Sequence, residues 1–209
     1  MQRFHPYLLA TMLLASLIAG CGGGGDDDSA PQAGTQTPDA ANPAGTAGAN
    51  DANAAQAANP PAPYDCGLPG FQAELLQRLN TLRASGAVCG ARGSFAPAAA
   101  LAWNEPLTQA ALGHATDMAT NDYFSHTSRD GSTLAERVTR AGYEWSRVAE
   151  NIAAGQPSVQ SVMSGWTASD GHCANLMHPG LREVGLACVP GTGQTRYSPY
   201  WVMNLATPR

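Results

Sequence analysis

From Gly22 to Pro63 the chain carries no side chain more hydrophobic than alanine. The stretch reads GGGGDDDSAPQAGTQTPDAANPAGTAGANDANAAQAANPPAP, with five aspartates and no basic residue. Such a segment buries too little apolar area to offset its chain entropy, so it is expected to be disordered. As a Gly/Ala/Pro coil its mean span is about 35–40 Å, at about 5–6 Å × √n. A packed core must therefore come from residues 64–209.

The residues before the coil read as a targeting segment. Arg3 supplies a short positive start, and Tyr7–Ile18 (YLLATMLLASLI) is an apolar run too short for a comfortable membrane span. Ile18-Ala19-Gly20-Cys21 resembles a bacterial lipobox, which implies cleavage before Cys21 and acylation of that cysteine. Several acyl chains on one residue anchor stably where a single chain does not. Gly22 follows, where an aspartate would favour inner-membrane retention, so outer-membrane sorting is expected if the cell is Gram-negative. The expected organisation is a signal peptide at 1–20, a lipidated linker at 21–63 and one folded domain at 64–209. The product would be exported and held at the cell envelope.

Charge narrows the function classes. Net charge is −5, so no basic surface is available for nucleic acid, and none is expected as a partner. The sequence contains no lysine, which excludes Schiff-base chemistry, a P-loop phosphate lysine and a Ser–Lys hydrolase. A monomer is expected.

Within 64–209, periodicity predicts helices first and strands late. Phe71, Leu75, Leu76, Leu79 and Leu82 have helical spacing over about 70–84. Asn104-Glu105-Pro106 opens a second helix, with Asn as cap and Pro in the first turn. Thr133 and Glu136 form a capping box for a third, with Gly142 as its stop, and Ser158 begins a fourth. Strands are predicted over Val184–Val189 and Tyr197–Ala206, with a Pro-Gly turn at 190–191. This order suggests an α+β domain with helices on a small antiparallel sheet.

Besides Cys21 there are four cysteines: Cys66, Cys89, Cys173 and Cys188. An even count in an exported domain implies two disulfides. Three pairings are open, and proximity in sequence favours Cys66–Cys89 and Cys173–Cys188. No CxxC is present, so a four-cysteine zinc site is not expected.

Five segments carry a resemblance. They are "FSHTSRDGST", "RVAENIAAG", "SGWTASDGHCANLM", "EVGLACV" and "YWVMNLA". In this order and spacing the chain resembles the bacterial branch of the CAP (SCP-like) superfamily over about residues 71–206. The resemblance implies a three-layer α-β-α sandwich and a cavity lined by two histidines and two acids. His126, Glu150 and His172 match three of those positions. Ser169 stands where animal and plant members have the second acid, so the tetrad is incomplete.

Two neutral imidazoles with a carboxylate beside them can hold a divalent ion such as zinc, with His126 and His172 as ligands, or polarise a water. The same trio can equally be a hydrogen-bonded network that fixes three loops. Three readings therefore stand: structural network, cavity for a ligand or ion, and catalysis, with no catalytic residue assigned. The resemblance implies a binding or interaction module for a lipid, another small apolar ligand or an envelope partner. The alternative is a metal-assisted hydrolase using His126, Glu150 and His172. His114 falls on the apolar face of the second helix and is expected to be a hydrogen-bonded core residue. His178 is expected in a loop. Cys173 abuts His172, but a disulfided cysteine is no nucleophile.

Overall fold

A computed structural model describes residues 64–209. The expected signal segment, Cys21 and linker lie outside the described residues. The helices form where the sequence supplies caps. α1 (Phe71–Ser85) follows Gly70, and α2 (Glu105–Asn121) begins where Asn104 Oδ1 accepts from Leu107 N at 3.0 Å. α3 (Leu134–Arg140) and α4 (Val159–Ala168) open on capping boxes at Thr133/Glu136 and Ser158/Ser161. α5 (Asp170–Met177) was not anticipated from periodicity, because its eight residues make barely two turns.

The strands are β1 (Ala87–Val88), β2 (Ser94–Phe95), β3 (Ala102–Trp103), β4 (Trp145–Ala154), β5 (Glu183–Val189) and β6 (Tyr200–Pro208). β1 and β2 form a small hairpin. The main sheet has the order β3-β5-β6-β4. It is mixed rather than wholly antiparallel, because β3 runs parallel to β5. β4–β6 and β5–β6 are antiparallel.

Side-chain alternation on β5 and β6 builds three layers. Val184, Leu186, Trp201, Met203 and Leu205 face α1, α4 and α5, where Leu75, Leu79, Val162, Trp166 and Leu176 complete one core. Ala187, Tyr200 and Val202 face the other way, onto Ala111, Ala115 and Met118 of α2. Leu107, Val138 and Ala206 extend that second core toward α3. The domain is thus α+β with helices on both faces of the sheet, as expected for a CAP-type sandwich.

The cysteine pairing differs from the expectation. Cys66 bonds Cys188 and Cys89 bonds Cys173, each with Cα atoms 5.4 Å apart. Geometry explains the correction. α1 lies between Cys66 and Cys89, and fifteen helical residues span about 22 Å. From the turn at 178–182, α5 climbs only about 1.5 Å per residue to Cys173, while β5 runs about 3.3 Å per residue to Cys188. Neither local pair falls within disulfide reach. Instead the entering chain lies beside β5, with Asp65 bridged to Cys188 and Cys188 N donating to Tyr64 O at 2.6 Å. The bonds enclose sequence separations of 122 and 84 residues, which restricts the unfolded chain more than short loops would.

α2 sits directly on β5 because residue 185 has no side chain. A Cβ at Gly185 would lie 2.2 Å from Thr108 N and 2.4 Å from Leu107 C, both main-chain atoms. Gly185→Ala should therefore cost about 2 kcal/mol, as overpacking against rigid backbone does. The urea unfolding midpoint measures this, and an unchanged midpoint would contradict the seating of α2 on β5.

Candidate functional site

The site is organised around β4, the edge strand of the sheet. In register, Glu150 opposes Asn204 and Asn151 opposes Met203. Alternation therefore sends Glu150 toward the α2/α3 layer and Asn151 toward the α4/α5 layer. Glu150 is 7% exposed. Its Oε1 meets His126 Nδ1 at 2.7 Å, and its Oε2 accepts from Arg137 Nη2 at 2.7 Å. A carboxylate only accepts, so Nδ1 of His126 carries a proton and donates it to Glu150. The His126 side chain is 58% exposed, so the ring is held yet accessible.

Arg137 is the residue that sequence reasoning missed. It is buried, and its Nη1 also donates to His126 O at 3.1 Å, Ser128 Oγ at 3.1 Å and Ser132 O at 2.9 Å. Its guanidinium thereby ties α3, the loop 126–132 and β4 together. A signal was present, since residues 134, 137, 138 and 141 share one helical face and an arginine among Leu, Val and Ala marks a buried charge.

His172 lies in α5, on the other side of β4. Asn151 Nδ2 donates to the His172 carbonyl at 3.2 Å, and Asn175 Nδ2 donates to Asn151 Oδ1 and to Glu150 O. Trp166 Nε1 donates to Ile152 O at 3.2 Å. These side chains satisfy the outer carbonyls of β4 and cover the edge strand. Burial holds the His172 imidazole below its ordinary range, and the nearby His126 adds to the effect.

His172 and Ser169 line a groove of about 400 Å³ whose apolar walls include Phe124, Ile152, Val162, Trp166 and Tyr197. Phe124 and Tyr197, two of the large apolar side chains that face solvent at 45% and 39% exposure, meet edge to face with ring centroids 6.1 Å apart. The four expected cavity residues therefore divide. His126 and Glu150 form one hydrogen-bonded unit, while Ser169 and His172 belong to the groove.

His114 is the core histidine expected from its helical face. Its Nε2 donates to Ser125 O at 2.8 Å, so its Nδ1 accepts from Ser128 Oγ at 3.1 Å. His178 lies in the turn after α5, and its Nδ1 accepts from Gly180 N at 3.0 Å. Burial, the largest cause in each case, depresses the pKa values of His114, His172 and His178 below 6.5. The unfolded chain then binds more protons than the folded one as pH falls from about 6.5. The stabilisation is complete above that pH and is lost on acidification. The exposed carboxylates with lowered values, Asp130 and Glu136, lose their contribution only on further acidification, below the ordinary carboxylate range. Melting temperature should therefore fall between pH 7.5 and pH 5, and His172→Gln should flatten the slope. A constant melting temperature over that window would contradict the neutral imidazoles.

The metal expectation meets a specific difficulty. Both Glu150 oxygens are engaged, and Glu150 itself is committed to neutralising buried Arg137. Among the described residues, no group of three or more His, Cys, Asp or Glu side chains is placed to hold an ion. His126 and His172 alone fall short of the three protein ligands of a catalytic zinc site.

Known proteins share this architecture. The uncharacterized Bacillus subtilis membrane protein YlbC is 32% identical over 88 residues, covering 42% of this chain and 25% of that protein. The uncharacterized Bacillus subtilis protein YkwD is 29% identical over 86 residues, covering 41% of this chain and 34% of that protein. The match thus spans only a quarter to a third of these relatives' lengths. The structure of an outer surface protein of Borrelia burgdorferi superimposes with a TM-score of 0.52 at 17% identity, covering 66% of this chain and 89% of that one. Since the family model matches residues 76–205, well over half the sequence, the chain belongs to the cysteine-rich secretory protein family, CAP.

Proposed function

We propose that this protein is an exported binding module of the cell envelope, anchored through lipid on Cys21, whose groove beside His172 takes a small apolar ligand. The observation that carries this reading is the groove itself. Its floor is buried aromatic and aliphatic surface, its rim is the Phe124–Tyr197 pair, and its polar groups are few. Small-molecule sites have this balance, with apolar walls and one or two orienting polar groups. The two disulfides support an oxidising compartment.

The Glu150–Arg137 pairing weighs against the hydrolase alternative, because a carboxylate whose two oxygens are engaged by His126 and a buried guanidinium has none free for an ion. Laurate titration followed by tryptophan fluorescence tests the binding reading. Phe124→Asp and Tyr197→Asp should each weaken binding about tenfold while His126→Ala leaves it unchanged. No laurate binding, or equal binding by the aspartate variants, would reject the groove. Zinc titration in parallel tests the alternative: stoichiometric binding abolished by His126→Ala would favour it.

A further inference from the structure

We propose a second ligand site, independent of the groove beside His172, in the cavity between α2, the loop 128–132 and α3, taking a small zwitterion such as a short peptide. This cavity measures about 550 Å³, within the range of small-molecule sites. It exists because the helix faces that meet there carry little bulk, with Ala110 and Gly113 on α2 and Ala141 at the end of α3. Gly113 has no local reason to be glycine. It sits inside α2 with ordinary helical backbone, and a Cβ there would meet nothing within 4 Å. A mid-helix glycine costs about 1 kcal/mol against alanine. What its missing side chain does provide is open space at the cavity wall.

The polar lining carries both signs. Arg129 and Arg140 stand on one set of positions, Asp117 and Asp130 on another. Arg129 uses Nη1 on Asn121 Oδ1 at 2.8 Å and keeps its other donors, and Arg140 is 3.7 Å from Asp130 with its side chain 67% exposed. Asp130 accepts from Ser132 N through Oδ1, and Asp117 is bound by Asn121, Tyr123 and Arg129 N. Deeper in the wall, Arg137 Nε has no hydrogen-bond partner, in a residue only 7% exposed. The wall thus has polar capacity that the protein itself does not use.

Charge selects the ligand class. A polyanion would meet Asp117 and Asp130, and a cation would meet the arginines. A purely apolar ligand would desolvate four charged groups without replacement partners. A carboxylate facing Arg129 and Arg140, with an ammonium facing Asp130, complements the lining.

Isothermal titration of the full chain with dialanine, N-acetyl-dialanine, dialanine amide and free alanine tests this. Dialanine should bind, and loss of either terminal charge should weaken it at least about tenfold. Free alanine binding as well as dialanine would keep the site and assign it to amino acids. Gly113→Leu should abolish binding without lowering the melting temperature, and Arg140→Glu should weaken it while laurate binding stays intact. Equal binding of the charged and blocked peptides, or full binding by Gly113→Leu, would overturn the proposal. So would the absence of any heat with dialanine.

Discussion

Arg83→Leu is expected to destabilise the domain by about 3–5 kcal/mol, although residue 83 touches no acid in its hydrogen-bond set. Arg83 is 0% exposed. Its Nε donates to Ala99 O at 2.7 Å, and its Nη1 donates to Leu176 O at 2.6 Å and His178 O at 3.2 Å. Leu181 O lies 3.5 Å from Nη2. All are main-chain carbonyls, and those of Leu176 and His178 belong to the end of α5 and its cap, where a helix leaves carbonyls without partners. The guanidinium also sits at the negative end of that helix. Its charge is nonetheless unwelcome there: burial lowers its pKa, with Arg182 adding to the effect. Leucine would fill much of the volume but leave the carbonyls of Ala99 and Leu176 without this donor, while those of His178 and Leu181 keep Leu181 N and Arg182 Nη1. Arg83→Lys should recover only part of the loss, because an ammonium cannot fork toward carbonyls from three segments. Guanidinium unfolding monitored by circular dichroism measures both variants. A loss below about 1 kcal/mol for leucine would mean that water replaces the arginine, and that α1 does not fasten α5 through this side chain.

Much of this arrangement was legible beforehand, and the rest was hidden for identifiable reasons. Caps at Asn104, Thr133 and Ser158 fixed three helix starts because each is a local hydrogen-bond motif. The late strands were visible because β5 and β6 are rich in apolar residues on both faces. β4 was not, since Glu150 and Asn151 interrupt its apolar pattern and both are buried. Polar residues facing opposite layers look like a loop until their partners are known. The pairing of Cys66 with Cys188 was hidden because it joins residues 122 apart in sequence, although a helix about 22 Å long lies between Cys66 and Cys89. Arg83 and Arg137 both occupy apolar helix stripes, at four residues from Leu79 and one from Val138. At the candidate site, His126 and Glu150 meet, whereas their separation from Ser169 and the groove depends on which face of β4 each residue takes.

Removing one member of the Glu150–Arg137 pair should cost about 3–5 kcal/mol, and removing both should cost less than the sum by at least about 2 kcal/mol. In Glu150→Leu a guanidinium that is 7% exposed loses its counter-charge. In Arg137→Leu a buried carboxylate is left with only His126, whose ring is largely in solvent. The double variant Arg137→Leu/Glu150→Leu removes both buried charges and adds two apolar side chains to the α2/α3 side of the sheet, where Val138 and Val148 pack, so most of the desolvation penalty disappears. Recovery should remain incomplete, because the His126 carbonyl loses its donor and the Ser132 carbonyl keeps only Ser128 N. Chemical unfolding of the two single variants and the double variant gives the coupling directly. The coupling should persist in 1 M salt, where an exposed pair would be screened to a Debye length of about 3 Å. Additive losses, or a coupling erased by salt, would show that Glu150 is not committed to Arg137. That result would free the carboxylate to act with His126 and would reopen the catalytic alternative on physical grounds.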